Sequence, residues 1–150
     1  MKLLHLCKGK SAAGFTFLEI ILVVAILTVV FGLGIPILYQ FYTRYQLDSE
    51  YQLLHSLLAQ ARNSAMINRN ESSHGFFMDS NNFMVFQGSS YASRSASEDR
   101  IFPRSGAISV NGPAELVFSS LAGATASSTF ILNNAYSQKT VYVNSEGLIY

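Results

Sequence analysis

The strongest constraint in this sequence is an apolar run too long for an ordinary core element. From Phe15 to Leu38 the one charged side chain is Glu19, and a helix over that stretch would reach roughly 36 Å at ~1.5 Å per residue. A bilayer hydrocarbon core is about 30 Å thick, so the run predicts a membrane-spanning helix over 15–38. An acid in such a helix costs on the order of 2.5–3.5 kcal/mol at its centre and calls for a partner of opposite sign. Glu19 lies near the amino-terminal end. Ahead of it stand Lys2, Lys8 and Lys10, then Ala12-Ala13-Gly14, a short basic segment closed by small residues. A cut after Gly14 would leave a cationic amine on Phe15, one helical turn from Glu19 and able to pair with it within the chain or in a neighbour.

The segment Lys10-Ser11-Ala12-Ala13-Gly14 followed by Phe15-Thr16-Phe17-Leu18-Glu19 resembles the class III signal of type IV prepilins and type II secretion pseudopilins. The matching features are Gly14 before the cut, Phe15 after it, Glu19, the apolar helix that follows, and Pro36 within that helix. Phe17 departs from the aliphatic residue more usual there. The resemblance implies that a prepilin peptidase cleaves after Gly14 and methylates the new amine of Phe15. It implies further that Glu19 pairs with the Phe15 amine of an adjacent subunit during assembly, and that Gly32, Gly34 and Pro36 form a helix break used on entry into a filament. Glycine and proline weaken a helix through backbone entropy and a missing hydrogen bond, and membrane helices tolerate both. The implied partners are other pilin or pseudopilin subunits, the prepilin peptidase and an inner-membrane assembly platform.

Orientation follows from charge. Three lysines precede the run, and Arg44 is the one basic residue shortly after Pro36. The positive-inside rule then puts residues 1–14 in the cytoplasm and everything beyond about Leu38 across the membrane. The expected location is the inner membrane, single-pass, with a periplasmic head, and later a pilus or pseudopilus. An ordinary secretory signal would place its small residues after the apolar core; here they come first. Without residues 1–14 the side-chain net charge is −2, which gives no electrostatic reason for a nucleic-acid partner. Cys7 is the sole cysteine and falls in the expected leader, so no disulfide can stabilise the rest.

After Pro36 the pattern becomes amphipathic. Leu47, Leu54, Leu58, Ala61 and Ala65 share one helical face, opposite Gln52, Ser56, Gln60 and Asn63, and this predicts a helix over 39–69. Phe41, Tyr42, Tyr45 and Tyr51 form an aromatic group that reads as interfacial anchors, filament contacts or both, the anchor reading being the more economical. From residue 70 the period changes. His74–Met78 and Phe83–Gln87 read as a hairpin around Asp79-Ser80-Asn81-Asn82, and 88–99 reads as a Ser-rich surface loop. Strands are expected at 106–110, 115–119, 129–132, 140–143 and 148–150, with 122–128 as a mobile connection. The expected fold class is α+β: a long amino-terminal transmembrane helix whose second half packs on a small antiparallel sheet or sandwich, as in pilins. The domain reading is a leader at 1–14, the membrane and assembly half of the helix at 15–38, its amphipathic half at 39–69, and a β-rich head at 70–150.

The head pattern is most similar to the GspH/FimT type of minor pilin or pseudopilin. This implies a structural subunit at or near the tip of a type IV pilus or type II secretion pseudopilus. The alternatives are a DNA-binding minor pilin for natural transformation and a major pilin. The carboxy-terminal segment Asn144–Tyr150 carries an acid and no arginine, so it offers nothing to neutralise phosphates, and Arg94, Arg100 and Arg104 are interspersed with Glu98 and Asp99. His55 and His74 lack a nucleophile motif, and no metal spacing, phosphate loop or dinucleotide fingerprint is present. Asp79, Asn81 and Asn82 make a better turn than a calcium cage. No catalytic residue, cofactor or metal is assigned.

Overall fold

The computed structural model describes residues 14–150, apart from the side chains of 33–37. Residues 1–13, and with them most of the expected leader, lie outside it. The chain divides into two compact units, Met1–Leu38 and Tyr39–Tyr150. One α-helix, α1, runs from Phe17 to Met66 and contributes to both. The strands are β1 His74–Met78, β2 Asn82–Gln87, β3 Arg100–Pro103, β4 Ser109–Asn111, β5 Glu115–Phe118, β6 Ser128–Asn133 and β7 Gln138–Val143, with short 3-10 turns at Arg69–Glu71 and Ala96–Glu98. The architecture is α+β with two antiparallel sheets, ordered β3-β2-β1-β5 and β4-β6-β7.

One part of the expected fold is corrected. Among the described residues no helix is long and apolar enough to cross a membrane. The apolar part of α1 with described side chains, Phe17 to Gly32, reaches about 24 Å at ~1.5 Å per residue, short of the ~30 Å hydrocarbon thickness. The expected span over 15–38 runs on through 33–37, whose side chains lie outside the described residues. The expectation of a single-pass inner-membrane protein, with its amino terminus cytoplasmic and its head periplasmic, rested on that span and falls with it.

In the second unit the helix is amphipathic and its apolar stripe builds the core. Leu47, Leu54, Leu58, Ala61 and Ala65 are each at most 1% exposed, and Leu57 joins them. They belong to one cluster with Phe76, Phe83, Phe118, Phe130, Val141 and Val143. Neither sheet nor helix could bury its face alone. Phe76 of β1 packs on Phe83 of β2 at 5.5 Å between ring centroids, and edge-on against Phe130 of β6 at 5.7 Å, which joins the two sheets.

Successive side chains of a strand point to opposite faces, yet Phe83, Met84, Val85 and Phe86 of β2 are all buried. The outer face of the first sheet must therefore be covered. Tyr91 covers it, stacking on Phe77 at 3.6 Å and meeting Phe86 edge-on at 5.9 Å. Phe86 also lies over Gly75, its partner on β1, where a Cβ would collide with the ring. The stretch 88–99 expected as a plain surface loop is thus a packed cover. Its Tyr91 N–H donates to Glu115 Oε1 at 2.7 Å and its Arg94 Nε donates to Asp99 Oδ2 at 2.8 Å.

The segment expected to be mobile, 122–128, is tied as well: Gly123 is buried, Thr125 donates its hydroxyl to Val117 O at 2.7 Å, and its N–H donates to Ser145 O. The last residues form a single bridge, Val143 with Ile149, supported by reciprocal backbone bonds between Tyr142 and Tyr150.

Candidate assembly surface and processing site

The first unit is built by a cap and an apolar surface. Thr16 precedes α1, and its Oγ1 accepts a hydrogen bond from the Glu19 N–H at 3.2 Å. A threonine followed three residues later by a glutamate is the pattern of a capping box. Carboxylates are also favoured in the first turn by the helix dipole. Thr16 therefore caps the helix through the Glu19 backbone, a cap signalled by the Thr16-x-x-Glu19 spacing, while the Glu19 carboxylate accepts no hydrogen bond among the described residues and contributes by its charge in the first turn. The carboxylate is exposed and takes part in no ion pair among the described residues. It is left free for a partner outside them.

Gly14 and Phe15 precede the helix and are exposed. A Cβ built on Gly14 would meet nothing within 4 Å, so packing in the described chain gives no reason for a glycine there, and the Gly14–Phe15 bond is sterically open. Gly32 has equally open surroundings. α1 covers Gly32, Gly34 and Pro36, of which Gly34 and Pro36 are among the residues whose side chains are not described. Between Gly14 and Gly32 the surface is unusually apolar. Phe17, Leu18, Val24, Ile26, Val30 and Phe31 are more than half exposed, with Phe17 at 81%. The Thr28 hydroxyl donates back to Val24 O at 2.8 Å and the Thr16 hydroxyl accepts from the Glu19 N–H, so both uncharged polar side chains of this stretch are engaged with its own backbone.

In the second unit the aromatic group is larger than the sequence suggested. Tyr39 meets Tyr136 edge-on at 6.3 Å, Asn134 donates its amide to Thr43 O at 2.8 Å, and Gln46 donates to the Tyr42 hydroxyl at 3.0 Å. Together with Ile108 these side chains line a groove of about 290 Å³. Phe41, Tyr42 and Tyr45 are exposed, whereas Tyr51 packs on the core. The loop residues Asn134 and Tyr136 come from far along the chain, and no local pattern marks them.

The three arginines do not form one patch. Arg94 is bonded to Asp99. Arg104 is half-buried, 3.9 Å from Glu50, with its guanidinium carbon 5.0 Å over the Phe83 ring and Nη1 donating to Asp79 O at 2.7 Å. Arg100 is exposed on β3. Burial pushes the Glu50 carboxyl above its ordinary value, against the Ser105 N–H bond and the Arg104 charge. Asp79 closes the β1–β2 turn by accepting from the N–H groups of Asn81 and Asn82 at 2.7 and 2.6 Å, which hold its carboxyl below the ordinary range. His55 lies 6.3 Å from the Tyr51 ring. Among the described residues no group of three His, Cys, Asp or Glu side chains is placed to hold a metal ion. Comparison with protein-family models, curated proteins and solved structures finds no match.

Proposed function

We propose that this chain is a structural subunit of a pilin-like filament, a minor pilin or pseudopilin processed after Gly14 and assembled through the amino-terminal part of α1. The observation that carries the reading is the apolar surface from Phe17 to Phe31, uncovered among the described residues, at 45% exposure or more for every large apolar side chain. Exposed apolar surface on this scale marks an interaction site, and helices of neighbouring subunits of the same kind would bury it at about 25 cal/mol per Å². The exposed Gly14–Phe15 bond suits cleavage by a prepilin peptidase. The Glu19 carboxylate suits a bond to the new Phe15 amine of the adjacent subunit, which would set the register of one helix on the next. An assembly platform and companion subunits are the partners this requires.

Glu19→Gln separates this role from helix capping, because the cap uses the backbone N–H of residue 19, which glutamine keeps while carrying no charge. We expect it to lower incorporation into filaments roughly tenfold, the effect of losing one charge-assisted bond, while chain abundance is unchanged. Equal incorporation of Glu19→Gln and the parent chain would reject the pairing. Mass spectrometry of the assembled subunit should show a methylated Phe15 as its first residue; an intact Met1 would overturn the reading.

A further inference from the structure

A second site lies in the other unit, where the packed loop closes over β1 and β2. A cavity of about 180 Å³ opens between the end of α1, β2 and the loop, lined among others by Arg69, His74, Gln87, Glu98, Asp99 and Arg100. His74 is buried, at 5% exposure. Its Nδ1 lies 3.1 Å from the carbonyl oxygen of Ser72. A carbonyl can only accept, so Nδ1 carries the proton, and Nε2 presents a lone pair with no hydrogen-bond partner among the described residues. Burial, aided by the Arg69 charge, holds the imidazole below its ordinary value against the Ser72 bond and Glu98, so the ring is neutral at pH 7.

Of the charged groups that line the cavity with His74, most are unpaired among the described residues. Glu98, Arg69 and Arg100 make no ion pair among the described residues. Asp99 is bound through Oδ2 to Arg94, while its buried Oδ1 lacks a hydrogen-bond partner, a costly omission in a native fold. The loop that brings these groups together is held in advance. Tyr91 is stacked between Phe77 and the Arg94 guanidinium, which sits 3.9 Å over its ring. Arg94 Nη1 donates to Tyr91 O, and the Ser95 N–H donates to Gln87 O. A rigid loop loses little entropy when a ligand binds.

We propose that this cavity binds a small zwitterion carrying a primary ammonium beside a carboxylate, the headgroup of a free α-amino acid. An ammonium has three N–H donors, and the acceptors available to it are His74 Nε2 and the Glu98 and Asp99 carboxylates. The guanidinium groups of Arg69 and Arg100, with the Gln87 amide, supply the donors for the carboxylate. The two signs of charge meet within one small volume, which suits a zwitterion better than an ion of either sign. The site is independent of filament assembly, since none of its residues belongs to the apolar surface of the first unit.

Titration calorimetry of the full chain, kept in solution by a mild non-ionic detergent, tests this with three probes. L-Alanine carries both charges, L-alanine amide the ammonium alone as at a peptide amino terminus, and N-acetyl-L-alanine the carboxylate alone as at a peptide carboxy terminus. Saturable binding of L-alanine, roughly tenfold weaker for each of the other two, is the expected result. Glu98→Gln and Arg69→Gln change exposed side chains and leave the core intact; each should weaken L-alanine by a similar factor. Absence of saturable L-alanine binding overturns the proposal, as does a one-charge probe binding as well as L-alanine or both variants binding like the parent.

Discussion

Glu50 is the residue where burial and charge meet most directly. It lies three residues after Leu47 and four before Leu54, inside the apolar stripe of α1, so the helical period placed an acid in the core. The sequence did not show that Arg104 and the Ser105 N–H would meet it, because they arrive from beyond β3. Burial raises its folded value above 4.5, so between those two values the folded chain binds more protons than the unfolded one. Stability from this group is therefore fully present below about pH 4.5 and declines as pH rises through the raised value. In Glu50→Gln that decline should disappear, seen as a flatter difference between unfolding free energies at pH 5 and pH 7.5; a parent and variant with parallel pH curves would refute it. Glu19 shows the other limit of reading residues. Its isolation among apolar neighbours is plain in the sequence, while the cap by Thr16 depends on where the helix starts, which a continuous apolar run does not mark.

At the scale of elements, the amphipathic half of α1 and the β1–β2 hairpin were legible, each for a local reason. The helix announced itself through spacing, and the hairpin through a turn whose Asp79 side chain satisfies two backbone donors. Removing that carboxylate in Asp79→Ala should cost about 1–2 kcal/mol at pH 7 by chemical denaturation, the lower part of the range that two bonds of roughly 0.5–1.5 kcal/mol allow, because both are exposed to water. Because the folded carboxyl is held below 3.8, this stabilisation is present above that value and is lost as pH falls through the folded one, so parent and variant should converge in acid. β3 was not legible. It follows directly on a Ser-rich stretch and ends at Pro103, a residue that suits an edge strand but weakens its sequence signature. The cover provided by 88–99 was hidden for a different reason: Tyr91 looked like an isolated aromatic in a polar loop until the outward faces of Phe77 and Phe86 were known. The His74 cavity depends on that cover and was equally hidden.

On the scale of the whole molecule, the described part of the first unit exposes apolar side chains of α1 and the second unit is held by packing. With Cys7 as its sole cysteine, the chain can close no internal disulfide, and its thermal unfolding midpoint should be the same with and without a thiol reductant; a lower midpoint in reductant would point to a covalent link between chains. Composition made this much readable, and the change of apolar period near residue 70 gave the α+β class. The arrangement of strands into two sheets was beyond it, since pairing of β1 with β5 and of β4 with β6 is decided by cores assembled across the chain. The same long-range pairing has a consequence during synthesis. The apolar stripe of α1, from Leu47 to Ala65, is translated before every strand that covers it, and its last partners, Val141 and Val143, are made almost at the end. At about 5–20 residues per second the stripe waits roughly four to fifteen seconds at the ribosome. Through that interval the stripe is apolar surface that its own strands do not yet cover.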